Sequence, residues 1–87
     1  MEDKVIYLVD NEAYRIEEFE GDTQADIEEL YNATQTFSEG EVTKIKADGY
    51  DTIEDAIMQE YGNKLGYTLD EVLNYNLVFS FGFNNNK

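Results

Sequence analysis

Seven carboxylates and no base stand in the fourteen residues 17–30, EEFEGDTQADIEEL. A second acidic group follows at Asp48, Asp51, Glu54, Asp55 and Glu60. Carboxylates at this density support three kinds of chemistry: paired acid–base hydrolysis, binding of a hard cation, and imitation of a polyanion. The first needs two acids facing each other across a substrate cleft, and a cleft for a sugar is hard to build in 87 residues. The chain has no histidine and no cysteine, so the commonest general base and the thiol nucleophile are absent. Of the two serines, Ser38 sits in FSEG, which is not a nucleophile elbow, and Ser80 falls within an expected strand. We therefore expect no enzyme and no cofactor.

The calcium loop of an EF-hand needs oxygen ligands at its first, third and fifth positions and glycine at its sixth. Counting from Asp10, the fifth and sixth positions are Tyr14 and Arg15; counting from Asp48, the third and sixth are Tyr50 and Ile53. Neither fits, and no metal site is expected. Asn32-Ala33-Thr34 matches a glycosylation sequon but falls inside an expected helix. Glycine-rich phosphate loops and basic patches are missing, which argues against direct nucleic-acid binding.

The third chemistry remains. The net charge is −14, from 20 acids against 6 bases. Such a chain repels nucleic acid and anionic membranes and attracts basic surfaces. Part of the acidity has a local cause. Asp26, Glu54, Asp55, Asp70 and Glu71 fall in expected first helical turns, where each negative charge is favourable by about 0.3–1 kcal/mol. The absence of any lysine or arginine along 17–30 is not explained this way, because solvated helices usually mix signs. Asp22, Asp26 and Glu29 fall at i, i+4 and i+7, opposite an apolar face of Ile27, Leu30, Tyr31 and Thr34. Four carboxylates over 22–29 give a spacing of roughly 3 Å along a helix axis, against about 3.4 Å per charge on a DNA strand.

The elements that must position these groups are legible as follows. KVIYLVD (4–10) is an apolar β-rich run, and AYRIEEFE (13–20) alternates, so the two read as a hairpin turning at 11–12. Thr23-Gln-Ala-Asp26, Thr52-Ile-Glu-Asp55 and Thr68-Leu-Asp-Glu71 each place a capping threonine and an acid ahead of apolar residues at helical spacing. Three helices follow, the second ending at Gly62 or Gly66 and the third near Asn74–Asn76. EVTKIKAD (41–48) reads as a strand with Lys44 and Lys46 on an exposed side or at an edge. NLVFSFGF (76–83) sets Leu77, Phe79, Phe81 and Phe83 at period two, as the core face of a central strand. The order is β-β-α-β-α-α-β: an α+β fold with a small, mostly antiparallel sheet of about four strands and two to three helices on one face. One domain covers 1–83, with a polar tail at 84–87. The N-terminus MEDKVIYLVDNE has no signal-peptide pattern and no apolar run reaches the length of a membrane span, so a soluble, cytoplasmic protein is expected.

Fewer than 100 residues, strong negative charge, no cysteine and a compact fold of helices and strands together resemble the small acidic inhibitors that bacteriophages encode against host nucleic-acid enzymes. These include DNA-mimic antirestriction proteins, uracil-DNA glycosylase inhibitors and anti-CRISPR proteins. The resemblance is one of class and transfers no individual residue. It implies a non-enzymatic inhibitor, acting in the cytoplasm of an infected bacterium, whose acidic surface fills the basic groove of a nuclease or CRISPR effector and excludes DNA. The residues expected to carry that contact are Glu17, Glu18, Glu20, Asp22, Asp26, Glu28, Glu29, Asp51, Glu54 and Asp55. Tyr14, Tyr50 and Tyr67 are candidate anchors, with stapling of helix starts the competing role for Tyr50 and Tyr67. Two alternatives stay open: a self-associating or adaptor module using the Leu77–Phe83 ridge, with a homodimer as one form, and an antitoxin-like binder of one basic protein.

Overall fold

A computed structural model describes residues 4–11, 23–37 and 42–83. Their order is β1 (Val5–Asp10), α1 (Gln24–Phe37), β2 (Val42–Lys46), α2 (Ile53–Ile57), a π-helical turn (Met58–Gly62), α3 (Asn63–Leu65), α4 (Leu69–Tyr75) and β3 (Asn76–Phe81). The α+β class holds. Among the described residues the sheet has three antiparallel strands in the order β2-β1-β3, rather than four. The expected strand 13–20 lies outside the described residues. The two edges of β1 are paired with β2 and β3, with Val9 opposite Val42 on one side and Leu77 on the other.

Val5 to Val9 are all buried. Alternate residues of a strand face opposite sides of the sheet, so five consecutive buried residues need cover on both. Val5, Tyr7 and Val9 pack with Val42, Ile27, Leu30 and Tyr31, under α1. Ile6 and Leu8 pack with Ile45, Ala47, Ala56, Ile57 and Val72, under α2 and α4. The helices therefore sandwich the sheet, which corrects the expectation of helices on one face.

The three threonine caps form. Thr52 Oγ1 accepts from Asp55 N, and Thr68 completes a reciprocal capping box with Glu71. Thr23 Oγ1 accepts from Asp26 N at 3.2 Å and donates to the Asp26 carboxylate at 2.9 Å. The second helix runs over 53–65 with a π-helical turn in its middle and ends at Gly66, whose φ of +79° suits glycine.

β3 is an outer strand of the described sheet, not a central one. Leu77, Phe79 and Phe81 lie on the α1 side, half-buried. Gly82, at φ +88°, breaks the alternation, and Phe83 packs on the opposite face. The four-residue ridge is therefore a three-residue one. β2 is also an outer strand, as its lysines imply.

Candidate functional site

Glu17, Glu18, Glu20 and Asp22 lie outside the described residues. Of the remaining acids on the first helix, Asp26 and Glu29 are exposed. Glu28 is not part of an outward row. Its carboxylate accepts the hydroxyl of Tyr7 and the Lys44 ammonium, at 3.0 and 3.2 Å to its two oxygens. Tyr7 is fully buried, and Lys44 also lies over the rings of Tyr7 and Tyr31, at 5.8 and 5.4 Å from their centroids. Burial first, and then the Glu28 hydrogen bond and charge, push the Tyr7 hydroxyl up to about 12. The Tyr7 hydrogen bond first, and then Lys44, hold the Glu28 carboxyl below its usual value. Glu28 thus fastens α1 to β1 and β2 and is committed within the fold.

The second group stands at the start of the second helix. Asp51, Glu54 and Asp55 are exposed. Glu60 accepts from the Tyr50 hydroxyl and pairs with Lys64 at 3.4 Å, one helical turn on. The Tyr50 bond is the main cause of the Glu60 carboxyl lying below its usual value, and that carboxylate in turn raises Tyr50. Tyr50 packs half-buried against the Ile6–Val72 core, so it is a structural tyrosine and not a free anchor. Tyr14 lies outside the described residues, and Tyr67 is exposed.

Because α1 and α2 cover opposite faces of the sheet, the described acids of the first group, Asp26 and Glu29, are not brought together with Asp51, Glu54 and Asp55. Between described residues, lysine neutralises only Glu28 and Glu60. Lys4 uses its ammonium on the Tyr50 carbonyl at 2.8 Å and lies 5.4 Å from the Phe83 ring centroid. No described cation pairs with Asp26, Glu29, Asp51, Glu54 or Asp55. Among the described residues no group of three or more acids is placed to hold a metal ion. No described helix is long and apolar enough to cross a membrane.

A feature missed in the sequence is a cleft of about 390 Å³ between the π-helical turn, α4 and the end of β1. Tyr61, Tyr67 and Tyr75 line it together with Asp10, Glu71 and Val72. The three tyrosines have no common sequence period, and only the fold gathers them. Asn11 N donates to the Tyr75 carbonyl at 2.9 Å, which ties the end of β1 to the end of α4 beside the cleft.

Comparison with protein-family models, curated proteins and solved structures finds no match to this chain.

Proposed function

We propose that the protein is a non-enzymatic inhibitor that binds a basic protein surface and blocks nucleic-acid access to a bacterial defence nuclease or CRISPR effector. The observation that carries this reading is the set of exposed carboxylates, Asp26, Glu29, Asp51, Glu54 and Asp55, that no described cation neutralises. A net charge of −14 on 87 residues raises the encounter rate with a cationic groove. The chain has neither histidine nor cysteine to support a hydrolytic alternative. Asp26 and Glu29 belong to a helix on the opposite face from Asp51, Glu54 and Asp55, so one docking event uses one of these two sets. The α1 face is the better candidate, since the sequence just ahead of α1, residues 17–22, is also acidic.

The test is capture of a partner from bacterial lysate in the presence of excess duplex DNA, followed by stopped-flow association at increasing salt. Asp26→Lys with Glu29→Lys should slow association by about tenfold or more at low salt; both side chains are exposed, and Asp26→Asn with Glu29→Gln, which keeps an acceptor for Thr23, controls for the helix start. If the double variant associates and inhibits like the parent, the α1 face is not the contact. Glu28→Lys is not a clean probe, because Glu28 holds the helix to the sheet.

A second reading is self-association. It draws on Leu65, Tyr67, Leu73 and Tyr75, which are large, apolar or aromatic, and exposed. It requires a concentration-dependent dimer in light scattering and no inhibition of any nuclease.

A further inference from the structure

The tyrosine-lined cleft has a chemistry of its own. Tyr61 and Tyr67 hold their rings 6.5 Å apart between centroids and tilted by 39°. Tyr67 and Tyr75 are 41% and 53% exposed, so ring surface is presented to solvent. Glu71 supplies a carboxylate to the cavity and Asp10, which has an interaction of its own, borders it; no described lysine or arginine lines it. One Glu71 oxygen accepts from Thr68 N at 2.8 Å; a carboxylate has roughly four acceptor sites, so capacity remains. The faces of aromatic rings are negative and attract cations, and the Glu71 carboxylate acts with the same sign. These groups favour a positive charge over a negative one.

The local backbone is built to shape it. The π-helical turn changes the angular position of Tyr61 relative to a regular helix. A Cβ at Gly62 would lie 2.7 Å from Met58 Sδ and 3.2 Å from the Tyr67 carbonyl oxygen, so glycine lets the Tyr67 backbone close onto the helix. Tyr67 N completes that closure by donating to the Gly62 carbonyl at 2.8 Å.

We propose that this cleft receives an arginine side chain from the basic partner. The identity of the partner rests on the reading above; the cleft's preference for a cation does not. A guanidinium is planar and weakly hydrated, stacks on aromatic faces and offers a fork of donors to carboxylates, whereas a lysine ammonium is compact and strongly hydrated. The volume matches the lower end of small-ligand sites, roughly 300–1,000 Å³, and suits one inserted side chain. Of the exposed large side chains, Tyr67 and Tyr75 line the cleft. Exposed aromatic rings beside a carboxylate in a pocket are the composition of an interface anchor point.

The experiment is an NMR titration of the intact protein with Nα-acetyl-arginine amide, following the tyrosine ring and neighbouring amide signals. Saturable shifts at Tyr61, Tyr67 and Tyr75 are expected, with binding weaker by about two- to fivefold in Tyr75→Ala and retained in Tyr75→Phe, which keeps the ring face. Glu71→Gln keeps the capping box, since glutamine serves there as well, and should weaken binding by a similar factor through lost charge alone. The citrulline analogue, neutral and nearly the same shape, should not bind. Shifts spread without saturation over the exposed carboxylates, or a lysine analogue binding as tightly as the arginine one, would overturn the assignment. The same Tyr75→Ala variant in the lysate capture separates the two claims. If capture proceeds at full strength with Tyr75→Ala, the cleft assignment falls while the acidic-surface reading survives. If the arginine probe saturates the cleft but lysate yields no nucleic-acid-binding partner, the inhibitor reading falls and the cation site stands.

Discussion

One carboxylate, that of Glu28, takes both the buried Tyr7 hydroxyl and the Lys44 ammonium. Replacing it by glutamine leaves Lys44 without its counter-ion and should cost about 1–2 kcal/mol, the pair being partly open to solvent; urea denaturation at neutral pH measures it. The pH dependence has two limbs. The Tyr7 hydroxyl is raised to about 12, while an unfolded tyrosine loses its proton near pH 10. Its contribution to stability is complete below pH 10 and disappears as pH rises toward 12. Tyr7→Phe should flatten that alkaline limb, read as urea midpoints at pH 8, 10 and 11. The Glu28 carboxyl is depressed, so its contribution is present above the ordinary carboxylate range and is lost as pH falls through it. The apolar face of α1 was legible from spacing alone: Ile27 and Thr34 are buried, and Leu30 and Tyr31 pack on the sheet. Glu28 borders that face, and its partners lie 21 and 16 residues away on other elements. No local pattern distinguishes it from Glu29, which points outward.

Helix starts were readable because a cap is local. Thr23, Thr52 and Thr68 each accept the N–H three residues on, as Thr-x-x-acid implies. Thr68→Ala removes the reciprocal box and should cost about 1 kcal/mol, measured by chemical denaturation. The π-helical turn has no such signature. Gly62 is its closest sequence mark, and Gly62→Ala should destabilise by about 1–3 kcal/mol, because the Tyr67 backbone cannot yield as the Met58 side chain can. The same variant should move the Tyr61 and Tyr67 ring resonances. Three of the four expected strands fall among the described residues and form, but neither their neighbours nor the outer place of β3 was read. The unbroken apolar run VIYLV requires cover on both faces of the sheet, which the expectation of helices on one face did not take up. The alternation in NLVFSF fixed its inner side, yet the reversal at Gly82 depends on a positive φ that alternation does not encode.

Across the whole molecule, like charge dominates. The acidic groups at α1 and at the start of the second helix sit on opposite sides of a three-strand sheet. That separation lowers their mutual repulsion without removing it. Sodium chloride screens it further, so Tm should rise between 10 mM and 500 mM salt; a gain of about 1 kcal/mol would appear as roughly 4–8 °C. A Tm that falls with salt would mean that the ion pairs of Lys44 and Lys64 outweigh the repulsion. The total charge was plain in the sequence, but its division into two faces required knowing which side of the sheet each helix covers.

The strand order also governs how the molecule assembles. β2 and β3 share no ladder; each is held to the sheet through β1. The pairings join Val9 to Val42 and Asp10 to Asn76, so no described ladder can close as a short hairpin. Chain entropy must therefore be surrendered before any of these strands is rewarded. Refolding from denaturant should be a single cooperative step at the slower end for a domain of this size, in the range of about milliseconds to seconds. The central strand then acts as the late-closing keystone of the kinetics, with the capped helices free to flicker into shape ahead of it.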